Sequence, residues 1–431
     1  MMKYTISHPT KKLVGTIELT ASKSESNRAL IIQALCSEKF EVKNLATAQD
    51  TKTLNKILSS IVTHSATESR SSRAESRDEG ETIDVGAAGT TMRFLTAYFA
   101  TIIGTRTLTG SDRMKKRPIG ILVNALRDLG AHIQYLDKEG FPPLKITGKS
   151  LKGGEIEMDG NVSSQFISAL LLISPELQNG LVIKFKGNVT SRPYINMTLN
   201  MLEEFRVYGQ WHDNYISVSK QNYHKKSEAD YAYQVEADWS AASYWYAMVA
   251  LSEEADLTIK GLKNPSLQGD AILADVFTFF GVKTEFISDG IRITKNRIKD
   301  EHFGFDFSDC PDLAQSVAVV VSALNIPALF NGLQTLRIKE TDRIEALKTE
   351  LKKIGTEVEI LNENSIKITP TTINQQLITI NTYDDHRMAM AFSSLAMKMK
   401  EISIENPEVV KKSYPNFWND LKSLGFVIKE A

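Results

Sequence analysis

Charge is concentrated in the seven-residue stretch Arg337–Arg343, whose sequence RIKETDR contains three cations and two carboxylates. Taking an unpaired ion out of water is costly, so this stretch either lies on a solvated face or forms a site that pairs its charges with a ligand. Arginine and lysine bind phosphate and carboxylate groups, and neighbouring carboxylates can transfer protons. Apolar residues from Ile344 to Leu347 follow directly, which places the stretch at the front of a helix.

Comparable polar segments precede other apolar helices. The segment Ser22–Arg28 (SKSESNR) leads into ALIIQALC, and serine followed by polar residues is typical of a helix N-terminus. Similar transitions occur before FLTAYFATII, FISALLLI, YWYAMVAL, VAVVVSAL and MAMAFSSLAM. The six predicted helix fronts are marked by Lys23, Gly89, Ser164, Ser240, Asp312 and Asp385.

These six markers are spaced 66 to 76 residues apart, which indicates internal repeats. Each repeat reads as a strand, a polar turn, a buried helix, further strands and a second helix. Second helices are predicted at residues 119–129, 195–205, 270–280 and 344–354. A repeat of this length favours a small α/β unit over a solenoid repeat, so we predict an α/β (α+β) protein with two domains of three repeats each, with the helices inside. Residues 3–20 are predicted to form one strand.

The segment of residues 59–80 departs from this pattern. It is rich in Ser, Arg and Glu and contains almost nothing to bury, so it is predicted to be a flexible surface insertion without a catalytic role.

Composition narrows the possible functions. The 431 residues are 42% hydrophobic and 24% charged, with a net charge of −1, which disfavours a nucleic-acid or membrane partner. No apolar segment is long enough for a signal peptide core or a membrane span, so a cytoplasmic protein is expected. Cys36 and Cys310 have no metal-ligand spacing and are expected to be reduced thiols. No metal or cofactor motif is found, so no cofactor is expected.

A helix N-terminus favours anions because its free N–H groups and its dipole attract negative charge. Ser163, Ser164 and Gln165 supply polar groups at one front, and Asp312, Glu340, Asp384 and Asp385 are candidates for proton transfer. Together with the cations this pattern predicts a ligand set that carries both phosphate and carboxylate. The cations at or near the fronts are Lys23, Arg28, Arg93, Arg117, Lys339, Arg343, Arg387 and Lys412.

The motifs themselves resemble those of a known family. KSESNR, GAAGTTMR, RMKKRPIG, VSSQF, SRPYI, CPDLA, RIKETDR, DDHRMAM and KKSYPNFW are similar, in this order, to the motif series of the EPSP synthase family of enolpyruvyl transferases. The resemblance runs from about residue 20 to the C-terminus, except for the serine-rich segment. It implies a two-domain inside-out α/β barrel, in which residues 1–20 join 235–431, residues 21–234 form the other domain, and the active site lies in the interdomain cleft.

The resemblance also implies an activity and roles for individual residues. The enolpyruvyl group of phosphoenolpyruvate would pass to the 5-hydroxyl of 3-phosphoshikimate, with release of phosphate, in a monomer that needs no cofactor. Asp312 would be the base, Glu340 the acid, and Lys23 would contact both substrates, while His386 would order Arg387 and the carboxylates. The 3-phosphoshikimate site would comprise Lys23, Ser24, Arg28, Ser163, Ser164, Gln165, Ser191, Tyr194, Asp312, Thr335 and Lys339. The phosphoenolpyruvate site would comprise Lys23, Gly89, Arg117, Gln165, Arg343, Arg387 and Lys412.

Two positions depart from the family pattern, and three other functions remain open at this point. Ala87 and Thr335 stand where asparagine is common, which weakens one expected contact to each substrate.

An enolpyruvyl transferase acting on UDP-N-acetylglucosamine is disfavoured because the loop SDRMKKRPIG has no cysteine. An RNA 3′-terminal phosphate cyclase is disfavoured by the near-zero net charge. A non-catalytic phosphosugar-binding protein is disfavoured by the presence of Lys23, Asp312, Glu340 and Arg387.

Overall fold

The structure is a computed structural model that describes residues 2–68, 80–226, 231–298, 301–371 and 376–430. The chain divides into two compact units: unit 1 comprises Met1–Ser22 and Glu236–Ala431, and unit 2 comprises Lys23–Val235. These bounds differ by one or two residues from those that the resemblance implies. Where the chain passes between the units, Ser22 N–H donates to the Glu236 carbonyl at 2.8 Å, so the outgoing and returning segments lie side by side.

The secondary structure is mixed α/β. The strands are β1 (Lys3–Ser7), β2 (Lys12–Glu18), β3 (Glu41–Lys43), β4 (Glu81–Asp84), β5 (Gly104–Thr109), β6 (His132–Tyr135), β7 (Leu144–Gly148), β8 (Gly154–Asp159), β9 (Leu181–Lys186), β10 (Gly209–Trp211), β11 (Tyr215–Val218), β12 (Ala232–Gln234), β13 (Glu254–Lys260), β14 (Val282–Ile287), β15 (Gly290–Lys295), β16 (Phe303–Asp306), β17 (Ala328–Asn331), β18 (Thr356–Ile360), β19 (Ile366–Pro370), β20 (Thr379–Ile380), β21 (Ile402–Glu405) and β22 (Val427–Glu430).

The α-helices alternate with these strands. They are α1 (Lys23–Leu35), α2 (Gln49–Glu68), α3 (Gly89–Thr101), α4 (Gly120–Asp128), α5 (Ser164–Ile173), α6 (Arg192–Glu204), α7 (Trp239–Leu251), α8 (Leu273–Val276), α9 (Ala314–Ala323), α10 (Arg343–Lys353), α11 (His386–Ser393) and α12 (Phe417–Ser423). The 3-10 turns are Met114–Lys116, Ser174–Glu176, Gly269–Ile272, Pro311–Leu313, Gln334–Ile338, Ser394–Met397 and Pro407–Lys412. None of the helices in the described ranges combines the length and the apolar character needed to cross a bilayer.

Within the described residues, each unit contains three sheets. Unit 1 has β14-β15-β13-β2, β16-β17-β19-β18 and β20-β21-β1-β22, and unit 2 has β4-β5-β7-β6, β10-β11-β9-β8 and the two-stranded β12-β3. In every four-stranded sheet one strand pair is parallel and the others are antiparallel; β2 and β13, for example, pair in parallel from Lys12 with Glu254 to Glu18 with Lys260. This recurring layout agrees with the repeats that the helix-front spacing predicts.

One helix from each repeat forms the interior of its unit. In unit 1 every residue of α9 and α11 is buried, as is all of α7 apart from Ser240. In unit 2 every residue of α3 before Thr101 is buried, and so is α5 from Phe166 onward. A helix that is apolar on all sides needs partners on all sides, which explains the long apolar runs behind the polar fronts.

Three local predictions were wrong. Residues 3–20 form two strands, β1 and β2, because Pro9 has no N–H for a ladder and Lys11 adopts a left-handed φ of 55°. Residues 270–280 form a 3-10 turn and the short α8, because Val276 to Phe280 are aromatic or β-branched residues with low helix propensity. Residues 59–68 continue α2, whose apolar Leu54, Ile57, Leu58 and Ile61 follow helical spacing; residues 69–79 lie outside the described ranges.

Candidate active site

Arg343, the first residue of α10, is the centre of a charged cluster in unit 1. Its guanidinium donates from Nε to Asp385 Oδ2 at 2.7 Å, from Nη1 to Asp312 Oδ1 at 2.8 Å and from Nη2 to Glu340 Oε2 at 2.9 Å. The residue is only 1% exposed. Burial acts to lower the pKa of Arg343. The carboxylates of Asp385, Glu340 and Asp312 outweigh that effect, so the pKa of Arg343 lies above its ordinary value. One buried cation therefore holds three carboxylates in place.

Asp312 lies in the 3-10 turn just before α9 and is surrounded by cations. Besides Arg343, it accepts a hydrogen bond from Arg387 Nη2 at 2.8 Å, and Lys339 Nζ lies 3.8 Å from its Oδ1. Burial acts to raise the pKa of Asp312, but Arg387, Lys339 and Arg343 hold it well below its usual range. Asp312 is therefore ionised at neutral pH, which is the form that a general base requires.

Glu340 and two lysines complete this cluster. Lys412 Nζ lies 3.2 Å from Glu340 Oε1, so the Glu340 carboxylate is held between Lys412 and Arg343. Burial lowers the pKa of Lys339, although Asp312 opposes that effect. In the preceding 3-10 turn the Thr335 hydroxyl is buried and has no hydrogen-bond partner within the described ranges.

The fronts of the three inner helices of unit 1 lie together. The Asp385 side chain accepts from the Arg387 N–H at 2.8 Å and so caps α11, while the Arg387 guanidinium donates to the Tyr244 hydroxyl on α7 at 3.3 Å. Arg387 also binds Asp312, which lies just before α9. The fronts of α7, α9 and α11 therefore converge on Arg387. His386 is 1% exposed, with its Nδ1 3.8 Å from Asp385 Oδ1, which suits a positioning role for this side chain.

The fronts of the inner helices of unit 2 also lie together. Lys23 Nζ is 3.5 Å from the carboxylate of Asp50, whose backbone carbonyl accepts a hydrogen bond from the Thr91 hydroxyl at 3.0 Å. Gln165 Nε2 donates to the Thr90 hydroxyl at 3.3 Å. The fronts of α1, α3 and α5 are thereby linked, with Lys23 and Gln165 at this end of the unit.

Gly89 and Arg117 are in close contact in unit 2. A Cβ built on Gly89 would lie 2.4 Å from Nη1 of Arg117, closer than a stable contact allows, and 3.0 Å from its Cζ. The absent side chain therefore lets the Arg117 guanidinium approach the N-terminus of α3. This cation and the free N–H groups of the helix front together form an anion-binding arrangement.

Arg28 is placed differently from the other predicted cations. It is 3% exposed and donates to the Thr198 hydroxyl, the Ser168 hydroxyl and the Ser24 carbonyl at 2.8 Å each, and to the Tyr194 carbonyl at 3.1 Å. Burial lowers the pKa of Arg28 to about 10. Arg28 therefore ties α1 to α5 and α6 from inside the helix layer.

The predicted serines lie at two helix fronts. Ser163 caps α5 by accepting from the Gln165 N–H at 3.4 Å, and Ser164 is the first residue of that helix. Ser191 precedes α6 with a left-handed φ of 54°, a conformation that costs energy in a serine and is found preferentially at functional sites.

Several expectations from the sequence need adjustment. Asp384 is exposed and binds Asn406 Nδ2 at 2.9 Å, so among the four candidate acids it lies outside the cluster of Arg343. Arg93 is 4% exposed and donates to the carbonyls of Gly89 and Pro118, which gives it a structural role. Asp50 pairs with Lys23 but was not among the site residues predicted from the sequence. The signal for it was an acidic residue in the first turn of α2. Within the described residues, no group of His, Cys, Asp and Glu is arranged to hold a metal ion.

Comparison with known proteins agrees with these motifs. The model of the EPSP synthase (3-phosphoshikimate 1-carboxyvinyltransferase) family matches residues 7–421. A 3-phosphoshikimate 1-carboxyvinyltransferase from Bacteroides fragilis strain YCH46 is 48% identical over 430 residues, which is 99% of each chain. Another, from Sulfurovum sp. strain NBC37-1, is 36% identical over 426 residues, 96% of this chain and 98% of the relative.

Solved structures show the same fold. An EPSP synthase from Acinetobacter baumannii superposes with a TM-score of 0.76 at 22% identity and covers 100% of both chains. The enolpyruvyl transferase NikO from Streptomyces tendae superposes with a TM-score of 0.72 at 13% identity, over 100% of this chain and 99% of that one. With the family match over almost the whole sequence, the chain belongs to the EPSP synthase family.

Proposed function

We infer that the chain is an enzyme that transfers the enolpyruvyl group of phosphoenolpyruvate to the 5-hydroxyl of 3-phosphoshikimate, releasing phosphate. It is thereby a transferase of the shikimate pathway, which supplies chorismate and the aromatic amino acids. The observation that carries this conclusion is the family match over residues 7–421, within which Asp312, Glu340, Lys339, Arg343, Arg387 and Lys412 form one cluster.

The substrate contacts are part of the same proposal. The phosphate of 3-phosphoshikimate is assigned to Ser163, Ser164 and Ser191, and its ring hydroxyls to Asp312 and Lys339, with Ser24, Arg28, Gln165, Tyr194 and Thr335 around them. Phosphoenolpyruvate is assigned to Arg117 beside Gly89, to Lys23 and Gln165, and to Arg343, Arg387 and Lys412. The convergence of three helix fronts in each unit supports these assignments, because helix fronts and cations attract anions. We propose that both units act on the same pair of substrates.

The proposed chemistry needs one acid and one base. Glu340 donates a proton to the methylene carbon of phosphoenolpyruvate, which creates cationic character at the central carbon. The 5-oxygen of 3-phosphoshikimate then bonds to that carbon while Asp312 accepts the hydroxyl proton. The tetrahedral intermediate expels phosphate, which takes up the proton held by Asp312, and a methyl proton returns to the Glu340 carboxylate, which restores the double bond. Lys23, Lys339 and the arginines stabilise the developing negative charge.

The proposed function is tested by following phosphate release from the purified protein. Release is expected only when phosphoenolpyruvate and 3-phosphoshikimate are both present, with one enolpyruvyl ether formed for each phosphate. Release from phosphoenolpyruvate alone would indicate a phosphatase. No release with both substrates, but release when UDP-N-acetylglucosamine replaces 3-phosphoshikimate, would assign the chain to the other enolpyruvyl transferase activity.

Replacing Gly89 with alanine is expected to weaken phosphoenolpyruvate binding. The new Cβ would displace the Arg117 guanidinium, which lies 2.4 Å from the Cβ position, so we expect the KM for phosphoenolpyruvate to rise about tenfold, equivalent to ~1.4 kcal/mol. Steady-state kinetics with each substrate varied in turn measures this change. Gly304→Ala is the matched control, since a Cβ there meets nothing closer than 3.9 Å. An unchanged KM in Gly89→Ala would show that Arg117 does not contribute to phosphoenolpyruvate binding.

Glyphosate is expected to inhibit the enzyme. Gly89 has no side chain to intrude on a ligand held by Arg117, so the space that we assign to phosphoenolpyruvate is open to this anionic inhibitor. Inhibition should weaken as phosphoenolpyruvate is raised, because both ligands would need the same cations. Turnover that stays constant up to millimolar glyphosate would contradict the expectation.

The proposal extends to the architecture and the state of the protein. An inside-out α/β barrel for each unit is supported by inner helices that are buried on all sides and by sheets whose strands alternate buried and exposed residues, as in β8. A monomer in the cytosol is also proposed. The free thiols of Cys36 and Cys310 are compatible with a reducing compartment.

A further inference from the structure

Asp270 is a buried acid that none of the family motifs singled out. It lies in the 3-10 turn Gly269–Ile272 of unit 1 and is 3% exposed. Its Oδ2 accepts a hydrogen bond from the Ser240 hydroxyl, whereas its Oδ1 is buried without a hydrogen-bond partner in the described part of the chain. An ionised carboxylate with a single hydrogen bond is expensive to bury, so this geometry favours the protonated form.

The position of Asp270 connects it to the cluster of Arg343. Ser240 is the second residue of α7, whose front converges with those of α9 and α11. The charged and titratable groups that face Asp270 are Asp238 at the N-cap of α7, Cys310 and Asp312 from the segment before α9, and Arg387 from α11. Asp270 thus lies within electrostatic range of Arg387, which binds Asp312 and is a cation that we assign to phosphoenolpyruvate.

The surroundings push Asp270 and Asp312 in opposite directions. Burial raises the pKa of Asp270 to about 7, and the negative charge of Asp312 adds to the rise, against the hydrogen bond from Ser240 and the charge of Arg387. The pKa of Asp312 is instead held low by its three cations. Two neighbouring carboxyl groups that differ in this way hold different protonation states at the same pH, as acid and base pairs in enzymes do.

We propose that Asp270 is a positioning residue for enolpyruvyl transfer, whose buried proton keeps a second negative charge away from Arg387 and Asp312. With the proton in place, Arg387 serves Asp312 and the anionic substrate. Without it, the Asp270 carboxylate competes with phosphoenolpyruvate for Arg387. The inference rests on the proposed function, because it assigns the effect to phosphoenolpyruvate binding.

The test compares Asp270→Asn, which is uncharged at every pH, with the wild-type enzyme from pH 6 to pH 9. The kcat/KM for phosphoenolpyruvate of Asp270→Asn, divided by that of the wild type, is expected to rise about fivefold between pH 6 and pH 9. The ratio rises because Asp270 of the wild type ionises over this range. Ser240→Ala removes the hydrogen bond that lowers the pKa of Asp270. The kcat/KM of Ser240→Ala should therefore fall at a higher pH than the kcat/KM of the wild type. Asp275→Asn removes an exposed acid of α8 and should follow the wild-type profile.

Thermal unfolding of the same pair gives a readout that does not require activity. Because the pKa of Asp270 is higher in the folded than in the unfolded chain, the wild type loses stability as pH rises from about 4 to about 7, and Asp270→Asn does not. The difference in Tm should therefore grow over this range and then stay constant. A constant Tm difference, or a kcat/KM ratio that does not change with pH, would overturn the proposal. Absence of phosphate release by the wild type would instead overturn the proposed function and leave the Tm comparison valid.

Discussion

Replacing Arg343 with methionine is expected to lower the free energy of unfolding by about 4 kcal/mol, because it leaves buried carboxylates without their shared cation. The guanidinium is 1% exposed and binds Asp385, Asp312 and Glu340 within 2.9 Å. Methionine fills much of the same volume but donates no hydrogen bond. Thermal unfolding at pH 8 should show a Tm about 5 °C below that of the wild type.

The pH dependence of this loss separates charge from packing. The pKa of Asp312 is depressed in the folded protein, so the stability that this residue contributes is present above its unfolded pKa, near 3.9, and is lost as pH falls below that value. The difference in Tm between wild type and Arg343→Met should therefore narrow as pH falls below about 4. A gap that stays constant would mean that lost packing, not unpaired charge, causes the destabilisation.

Arg292→Met is the matched control for the same substitution. Arg292 donates from Nε to Asp256 at 2.7 Å, but both side chains are almost half exposed to solvent in a sheet of unit 1. Exposed ion pairs contribute little because water and salt screen them, so the Tm should change by no more than about 2 °C. A drop as large as that of Arg343→Met would show that burial is not what makes Arg343 important.

Local patterns in the sequence predicted the inner helices and their fronts well. The largely apolar run AQSVAVVVSA forms the wholly buried α9, and α5 begins at Ser164, the third predicted helix front. Regular spacing of the fronts indicated the repeats. Each of these features depends on neighbours within one turn or one repeat, which is the range that periodicity and capping patterns report.

Partners that are distant in the sequence could not be predicted in this way. Strand β2 pairs with β13, more than two hundred residues later, and no composition pattern specifies that register. The motif comparison assigned Arg343 to phosphoenolpyruvate, whereas its contacts with Asp312 and Asp385 depend on how three repeats pack. Asp270 and Asp50 were missed for the same reason, since each acquires its significance from a side chain on another element.

Replacing Asp312 with asparagine is expected to reduce kcat at least about a thousandfold, because the 5-hydroxyl of 3-phosphoshikimate would lose the group that accepts its proton. Asparagine has almost the same shape, but its single side-chain oxygen can accept a hydrogen bond from only one of Arg343 and Arg387, which now donate at 2.8 Å to different oxygens of the carboxylate. An amide oxygen is far less basic than a carboxylate, so binding should suffer less than turnover. Phosphate release at saturating concentrations of both substrates measures this loss.

The comparison that decides the role of Asp312 is between kcat and substrate affinity. If Asp312 only bound 3-phosphoshikimate, saturation would restore the rate in Asp312→Asn and the change would appear in KM alone. Asp306→Asn provides the control, because it makes the same substitution six residues earlier at an exposed carboxylate that accepts from the Ser308 N–H. Equal phosphate release by wild type and Asp312→Asn would exclude Asp312 as the base. A loss of turnover with little change in the dissociation constant of 3-phosphoshikimate would identify Asp312 as the residue that removes the proton.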